Sequence, residues 1–173
     1  MLLVGHSYGG AVITEAGNTP KVVGMVYVAA FAPEEGETLG GMAAKYPTPP
    51  AYSEFRQVDD GYLVLTEKGV RESFAQDLSP AEQALVFAVQ GATQGAILGT
   101  PIGRAAWHSK PSWFVIASND RTIAPEQEIN TAKRMGAKTL TLATSHLAML
   151  AQPEKVADFV IEAAASLDTS AAA

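Results

Sequence analysis

Short runs of apolar residues alternate with segments of helical pattern towards both ends of the chain. Continuous runs rich in β-branched and aromatic residues are typical of strands that are buried on both faces of a sheet. Four runs predict such strands, at residues 2–4, 22–30, 113–117 and 139–142. Segments of helical pattern follow three of them, at residues 10–16, 125–135 and 153–167. This alternation predicts an α/β fold with a mostly parallel sheet and flanking helices.

The middle of the chain, residues 33–110, breaks the alternation and looks like an insertion. It contains a short predicted strand at residues 62–65 and a predicted helix over residues 80–90. We therefore predict one core, formed by residues 1–32 together with residues 111–173, and an inserted segment between its two parts.

The composition fits a globular domain. The chain has 173 residues, of which 47% are hydrophobic and 17% are charged, so it can bury a sizeable core. A net charge of −6 without any cluster of basic residues argues against a nucleic-acid partner. The absence of cysteine excludes disulfides, thiolate catalysis and thiolate-ligated metals.

Targeting and cofactor motifs are absent from the sequence. The N-terminus lacks the basic and apolar regions of a signal peptide, and no apolar stretch is long enough to span a membrane. These features predict a cytoplasmic protein with no membrane partner. No phosphate-binding loop, metal-ligand cluster or dinucleotide fingerprint occurs, so no cofactor is expected. The small and polar residues 169–173 are expected to form a frayed tail.

The sequence Gly5-His6-Ser7-Tyr8-Gly9 places a G-x-S-x-G motif between the first predicted strand and the first predicted helix. Such a motif forms a tight turn in which the glycines let strand and helix approach closely, while the serine side chain projects from the edge of the sheet. Ser7 is therefore a candidate nucleophile. The alternative is an ordinary glycine-rich turn in which Ser7 only caps the helix.

A nucleophilic serine needs a general base, and the chain has three histidines. His6 adjoins Ser7 on a tight turn, where neighbouring side chains point in different directions, so we interpret it as a supporting residue. His108 lies in a polar approach to a strand, where a lone histidine is usually exposed. His146 follows the fourth predicted strand, on the same edge of the sheet as Ser7, and is the candidate base.

The third residue of such a site is a carboxylate at the carboxyl end of a nearby strand, where it orients the imidazole. Asp120 follows the third predicted strand and meets this condition, although an aspartate in a loop can also be a turn residue. Glu34 and Glu35 follow the second predicted strand and remain alternatives. The chain order Ser7, Asp120, His146 is that of one class of hydrolases and differs from the orders in chymotrypsin and subtilisin.

These residues lie in four stretches through which the chain resembles the α/β-hydrolases, and more narrowly the plant methyl esterases, the hydroxynitrile lyases and their bacterial relatives. The stretches are residues 3–10, Trp107 with residues 111–113, residues 119–123 and residues 145–153. The resemblance implies Ser7 as nucleophile, His146 as general base and then acid, and Asp120 as orienting carboxylate. It also implies that residues 33–110 form a cap over the substrate.

The lyases of this group place a lysine directly after the catalytic histidine to stabilise cyanide. Leu147 stands at that position, so the resemblance favours a carboxylic ester hydrolase. Such an enzyme would act on a small-molecule ester through a covalent Ser7 intermediate, without a cofactor. Aromatic residues of the insertion are candidates to line an apolar acyl or alcohol site, with packing in the core of the cap as the favoured role for any single one; they are Tyr46, Tyr52, Phe55 and Phe74.

An oxyanion hole needs a second backbone donor besides the N–H of Tyr8. Relatives of this pattern carry that donor, and further strands, ahead of the strand at residues 2–4, where this chain begins. We therefore expect an N-terminally incomplete α/β-hydrolase fold. Loss of one donor typically lowers turnover by about 10²–10³, so a weak or inactive remnant acting as a binding module is an alternative function. Carbon–carbon cleavage, or a cofactor-free oxygenase reaction, on the same fold is a third.

The incomplete sheet also suggests a partner. If the strand order of the relatives holds, the strand at residues 2–4 pairs on one side with the strand at residues 22–30 and leaves an apolar edge on the other. Because an exposed edge is a template for association, we expect a homo-oligomer that pairs through this strand.

Overall fold

The computed structural model describes residues 1–170 of the chain. In chain order the strands are β1 (Leu2–Ser7), β2 (Gly24–Ala30), β3 (Phe55–Gln57), β4 (Tyr62–Leu65), β5 (Thr93–Gln94), β6 (Ser112–Ala117) and β7 (Lys138–Leu142). The α-helices are α1 (Gly9–Ala16), α2 (Leu39–Ala43), α3 (Glu67–Gly69), α4 (Pro80–Val89), α5 (Pro125–Met135), α6 (Ala148–Ala151) and α7 (Pro153–Ser170). Single 3₁₀ turns lie at Pro50–Glu54, Gly95–Gly99 and Ala106–His108, and a π-helical turn at Val70–Phe74.

A parallel sheet in the order β1-β2-β6-β7 forms the centre of the molecule. β2 and β6 are buried along their whole lengths, which is why their sequences are continuous apolar runs. The four predicted strands are all present, and the predicted α/β class is confirmed. β1 continues to Ser7, beyond its predicted end, because His6 and Ser7 also pair with β2. β2 begins at Gly24, since the N–H of Val22 bonds to Thr19 in a turn.

Helices cover both faces of this sheet, as the alternating pattern predicts. Ile13 of α1 and Ala132 of α5 share an apolar cluster with Tyr27 on one face. Val156 of α7 belongs to a second cluster with Val28 on the other face. The tail prediction is wrong for residues 169 and 170, because α7 extends to Ser170. Residues 171–173, which the same prediction covers, lie outside the described part of the chain.

The inserted segment forms a small layer of its own. β3, β4 and β5 make an antiparallel sheet, and α4 begins at a capping box in which Ser79 and Glu82 bond reciprocally. The predicted strand at residues 62–65 and the helix at residues 80–90 are confirmed, the helix ending one residue early. Leu147, from the loop after β7, is packed in the apolar cluster of this layer. The layer therefore lies over the loops at the carboxyl ends of the parallel strands.

β1 is the edge strand of the parallel sheet within residues 1–170. It pairs with β2 from Leu2 to Ser7, as expected, and has no strand on its other side among the described residues. Val4, in the middle of β1, keeps 49% of its surface exposed. The edge combines open backbone groups with apolar side chains.

Candidate active site

Ser7 ends β1 in an unusual backbone conformation. Its φ is 53°, in the left-handed region that non-glycine residues rarely adopt. The pairing of β1 with β2 shifts register between His6 and Ser7, and the carbonyl of Ser7 accepts a hydrogen bond from the N–H of Phe31 at 3.1 Å. α1 begins two residues later, at Gly9. The sharp strand-to-helix turn predicted from the motif is therefore present.

Two glycines make this turn possible by close packing. A Cβ atom on Gly5 would lie 2.5 Å from the carbonyl oxygen of Gly9, and one on Gly10 would lie 2.2 Å from the carbonyl oxygen of Phe31. Nothing lies within 4 Å of the corresponding position on Gly9. Gly5 and Gly10 must therefore lack a side chain for the turn to pack. Gly9, the last glycine of the G-x-S-x-G motif, has room for one.

His146 and Asp120 form a buried pair. Nδ1 of His146 donates to Oδ2 of Asp120 at 2.6 Å, and both side chains are fully buried. Oδ1 of Asp120 accepts the N–H groups of Thr122 at 2.6 Å and Ile123 at 3.0 Å. Burial acts to raise the pKa of Asp120, but His146 and the two N–H groups outweigh it and hold the pKa below its ordinary value. Asp120 is therefore an anion at neutral pH.

The second ring nitrogen of His146 has no hydrogen-bond partner in the part of the chain that the structure describes. Nε2 is buried and makes no hydrogen bond within residues 1–170, and no hydrogen bond joins it to Ser7. In unliganded sites this contact is often long and tightens only with substrate. The ring of His146 lies 4.6 Å from that of His6, the neighbour of Ser7 in the chain. An imidazole with one oriented nitrogen and one available nitrogen thus lies beside the Ser7 turn.

His6 supports His146, as the sequence suggested. Its Nε2 lies 2.9 Å from the carbonyl oxygen of His146, so that nitrogen carries the proton and donates it. Burial and the nearby His146 lower the pKa of His6 to about 3, so the ring is neutral at physiological pH. His6 therefore binds the backbone of the loop that carries His146, and its ring is uncharged.

The other candidates lie apart from this pair. His108 is exposed, and its Nε2 lies 2.5 Å from Oε1 of Glu34. Glu35 is also exposed. The carboxylate that contacts His146 is accordingly Asp120, and neither of the two glutamates takes that place.

Glu128 is a buried residue of this site that the sequence did not indicate. It is 0% exposed, and Oε2 accepts the N–H of Ala117 at 2.9 Å. Burial and the charge of Asp120 raise the pKa of Glu128 well above its ordinary value. An acidic residue in the first turn of a helix is also what the helix dipole favours, so nothing in the sequence pattern separates Glu128 from its exposed neighbour Glu126.

Ser7 lines a cavity of about 470 Å³ that lies between the parallel sheet and the inserted layer. The wall is mainly apolar; it includes Phe31, Leu39, Tyr52, Phe55, Phe74 and Val86. Tyr52, Phe55 and Phe74 thus line this cavity, and Phe74 also packs against the apolar cluster of the inserted layer. Tyr46 lies elsewhere, in a smaller pocket beside α5, where its hydroxyl accepts a hydrogen bond from Asn130.

Tyr8 lies between the end of β1 and the start of α1. Its N–H is one of the backbone donors at the start of a helix that have no partner within that helix. Such donors, together with the helix dipole, favour negative charge beside Ser7.

Within residues 1–170 no group of three or more histidine, aspartate or glutamate side chains is arranged to hold a metal ion. None of the described helices has the length and apolar character to cross a membrane.

The sequence model of one family, described as the alpha/beta hydrolase family, matches residues 2–159. An alpha/beta hydrolase of Aspergillus novofumigatus, nvfD, is 29% identical over 144 residues, which are 78% of this chain and 57% of that protein. A carbendazim hydrolyzing esterase of Nocardioides sp. is 42% identical over 57 residues, 32% of this chain and 24% of that protein. The chain therefore spans about half, or less, of the length of these curated relatives.

Among solved structures, a methylesterase from Arabidopsis has a similar fold. The TM-score is 0.72 at 17% identity, and the match covers 95% of this chain and 69% of that chain. At this identity the likeness concerns the fold, and it agrees with the resemblance to plant methyl esterases that the sequence motifs indicate.

Proposed function

The chain belongs to the alpha/beta hydrolase family, and on that premise we propose that it is a serine hydrolase of uncharged carboxylic esters. The proposal rests on the buried pair of His146 and Asp120, which leaves Nε2 of the imidazole without a partner within residues 1–170, beside the turn of Ser7. A relative named as an esterase supports ester hydrolysis in general.

The reaction proceeds through an acyl-enzyme. Oγ of Ser7 attacks the carbonyl carbon of the ester while its proton passes to Nε2 of His146. The bond to the alcohol then breaks, and His146 returns the proton to the departing oxygen. Water then attacks the acyl carbon while His146 takes a proton from it. The bond to Oγ of Ser7 breaks, His146 returns that proton to Oγ, and the acid is released. Asp120 remains an anion throughout and stabilises the imidazolium.

Negative charge on the carbonyl oxygen is stabilised at the start of α1. The N–H of Tyr8 directly follows the nucleophile, which is the position of one oxyanion donor in hydrolases of this motif. The positive end of the helix dipole adds to that field.

The cavity next to Ser7 favours an uncharged, apolar substrate. His6 is neutral, and the lining that the described residues form includes no aspartate, glutamate, lysine or arginine. Two of its polar side chains are also already engaged: the amide of Gln90 bonds to both backbone groups of Leu65, and the hydroxyl of Thr122 donates to the carbonyl of Ser73. A charged group entering this cavity would lose its hydration without gaining a partner of opposite charge. The cavity volume is in the range of small-molecule sites.

Leu147 also favours hydrolysis. Its side chain is buried in the apolar cluster of the inserted layer, together with Leu65 and Val70. The position directly after His146 therefore offers no cation to stabilise a leaving cyanide.

Hydrolysis of two p-nitrophenyl esters of similar length tests this function: the butyrate, which is uncharged, and the hemiglutarate, which carries a free carboxylate. We expect kcat/KM to be at least about tenfold higher for the butyrate, because the carboxylate must be desolvated in the apolar cavity. We expect no turnover of either ester by Ser7→Ala. Equal rates with both esters would contradict the substrate class, and turnover by Ser7→Ala would contradict the mechanism.

A further inference from the structure

The carboxyl group of Glu128 has too few hydrogen-bond donors for an anion. One oxygen accepts the N–H of Ala117 at 2.9 Å. The other, Oε1, is buried and has no hydrogen-bond donor within the described residues. A buried carboxylate is stable only when charges or several donors compensate it, and Glu128 is 0% exposed. The protonated acid, by contrast, needs an acceptor.

The carboxylate of Asp120 is that acceptor. Asp120, on the loop after β6, acts on Glu128 through its charge and through a side-chain hydrogen bond. His146, on the loop after β7 and with His6 beside it, also acts on Asp120. Two neighbouring carboxyls do not both ionise readily, so they share a proton. Because Asp120 already accepts three hydrogen bonds and Glu128 accepts one, the proton belongs to Glu128.

We propose that Glu128 is a positioning residue for the Asp120–His146 pair: it stays protonated and donates a hydrogen bond to the Asp120 carboxylate. Its role in catalysis rests on the function proposed above, whereas its protonation does not. The hydrogen bond fixes the carboxylate that orients His146. It also draws negative charge away from Asp120, which weakens the stabilisation of the imidazolium and keeps the base in its neutral, competent form at lower pH.

Protein stability tests the protonation without any substrate. Glu128→Gln keeps an acceptor for Ala117 and a donor for Asp120 but cannot ionise. In the unfolded wild type Glu128 ionises near its ordinary pKa of 4.5, while the folded protein keeps the proton. The wild type must therefore lose stability relative to Glu128→Gln as pH rises above about 4.5, by up to about tenfold in the unfolding equilibrium per pH unit.

Melting curves of both proteins between about pH 5 and about pH 8.5 measure this difference. Glu126→Gln is the matched control, since Glu126 is an exposed acid in the same turn of α5. We expect its curve to parallel that of the wild type. If the curves of wild type and Glu128→Gln were also parallel, Glu128 would be ionised in the folded protein and the proposal would be wrong.

The pH profile of ester hydrolysis tests the positioning. We expect Glu128→Gln to retain kcat/KM within about threefold and to leave the acidic limb of the profile in place, because both hydrogen bonds remain. Glu128→Leu removes the donor, so kcat falls while KM stays similar, and the limb moves to higher pH as Asp120 stabilises the imidazolium more strongly.

The outcomes separate three roles. If Glu128 were an anion, both variants would remove a negative charge, and the acidic limb of each variant would move to lower pH. If Glu128 were merely structural, the melting temperatures of both variants would fall and the acidic limb would stay in place in each. Either result overturns the proposal. Absence of ester hydrolysis in the wild type would refute the proposed function, and the melting curves would still decide the protonation of Glu128.

Discussion

The backbone conformation of Ser7 is maintained by its surroundings. A positive φ costs free energy in a residue with a side chain and persists only where packing enforces it. Here the enforcing contacts are the hydrogen bond from Phe31 to the carbonyl of Ser7 and the close approach of Gly10 to the carbonyl of Phe31. α1 and the end of β2 thus press together on either side of Ser7.

Gly10→Ala should consequently disrupt the turn. Its Cβ would lie 2.2 Å from a backbone oxygen, so the helix or the strand must move. We expect a loss of at least about 1–3 kcal/mol in the free energy of unfolding, measured by chemical denaturation. Gly9→Ala is the control: its Cβ meets nothing within 4 Å, and a gain of a few tenths of a kcal/mol is expected from the helical position. Equal losses in both variants would contradict the packing argument.

At the residue level the sequence was sufficient to predict which side chains meet at the site, where the position of each side chain follows from the end of a strand. Ser7, Asp120 and His146 each follow an apolar run, and parallel strands bring those ends to one edge. Glu128 could not be found in this way, because a buried and an exposed acid in the first turn of a helix obey the same local preference. The pairing of Glu34 with His108 depends on a contact across 74 residues, which no local pattern records.

The inserted layer is tied to the loops that carry Asp120 and His146. Nε2 of Gln76 donates to the carbonyl of Asn119 at 2.8 Å, and Oδ2 of Asp77 accepts the N–H of Ser145 at 2.7 Å. The ring of Phe74 lies 5.1 Å from the ring of His146. The segment between the π-helical turn and α4 therefore contacts both loops of the site, and its displacement would disturb them together.

Asp77→Ala tests this link, because it leaves the buried N–H of Ser145 without its acceptor. We expect kcat for an uncharged ester to fall about tenfold with KM nearly unchanged, since the loop that carries His146 is less well held. Asp77→Asn retains an acceptor oxygen and should restore most of the rate. Asp59→Ala removes an exposed carboxylate from the same layer and should have no effect. A fall in Asp77→Asn as large as in Asp77→Ala would point to charge and not to the hydrogen bond.

At the element level the core was predictable and the inserted layer only partly so. β2 and β6 are buried on both faces, so their sequences are continuous apolar runs that no helix of ordinary amphipathic character would show. β3 and β5 span three and two residues, and β3 is exposed throughout, so neither leaves a periodic signal. α7 extends past its predicted end. The sequence pattern missed this because small and polar residues at the end of a helix resemble a frayed tail.

At the scale of the whole molecule, β1 is an edge strand, with no strand on its outer side within residues 1–170. Half-exposed Val4 lies in the middle of this edge strand. Unpaired strand edges with apolar side chains pair readily with other strands. We propose that a second copy of the chain pairs there, which gives a homo-oligomer.

Light scattering over a range of protein concentrations measures the oligomer. We expect a mass of at least two chains at high concentration, and a shift towards monomer in Val4→Lys, because a lysine on an edge strand opposes pairing. Leu85→Lys is the control, since Leu85 is 62% exposed on α4 in the inserted layer. A monomer at all concentrations, or equal dissociation of both variants, would exclude association through β1.

The most direct test of the account is the intact mass of the protein after treatment with a fluorophosphonate. Such a reagent labels a serine only when a base and an oxyanion site activate it. We predict a single adduct in the wild type, none in Ser7→Ala, and labelling slower by orders of magnitude in His146→Ala, where the hydroxyl has no base. A folded wild type that takes up no label, or a Ser7→Ala variant that is still labelled, would contradict the assignment of Ser7 as the nucleophile of a working hydrolase.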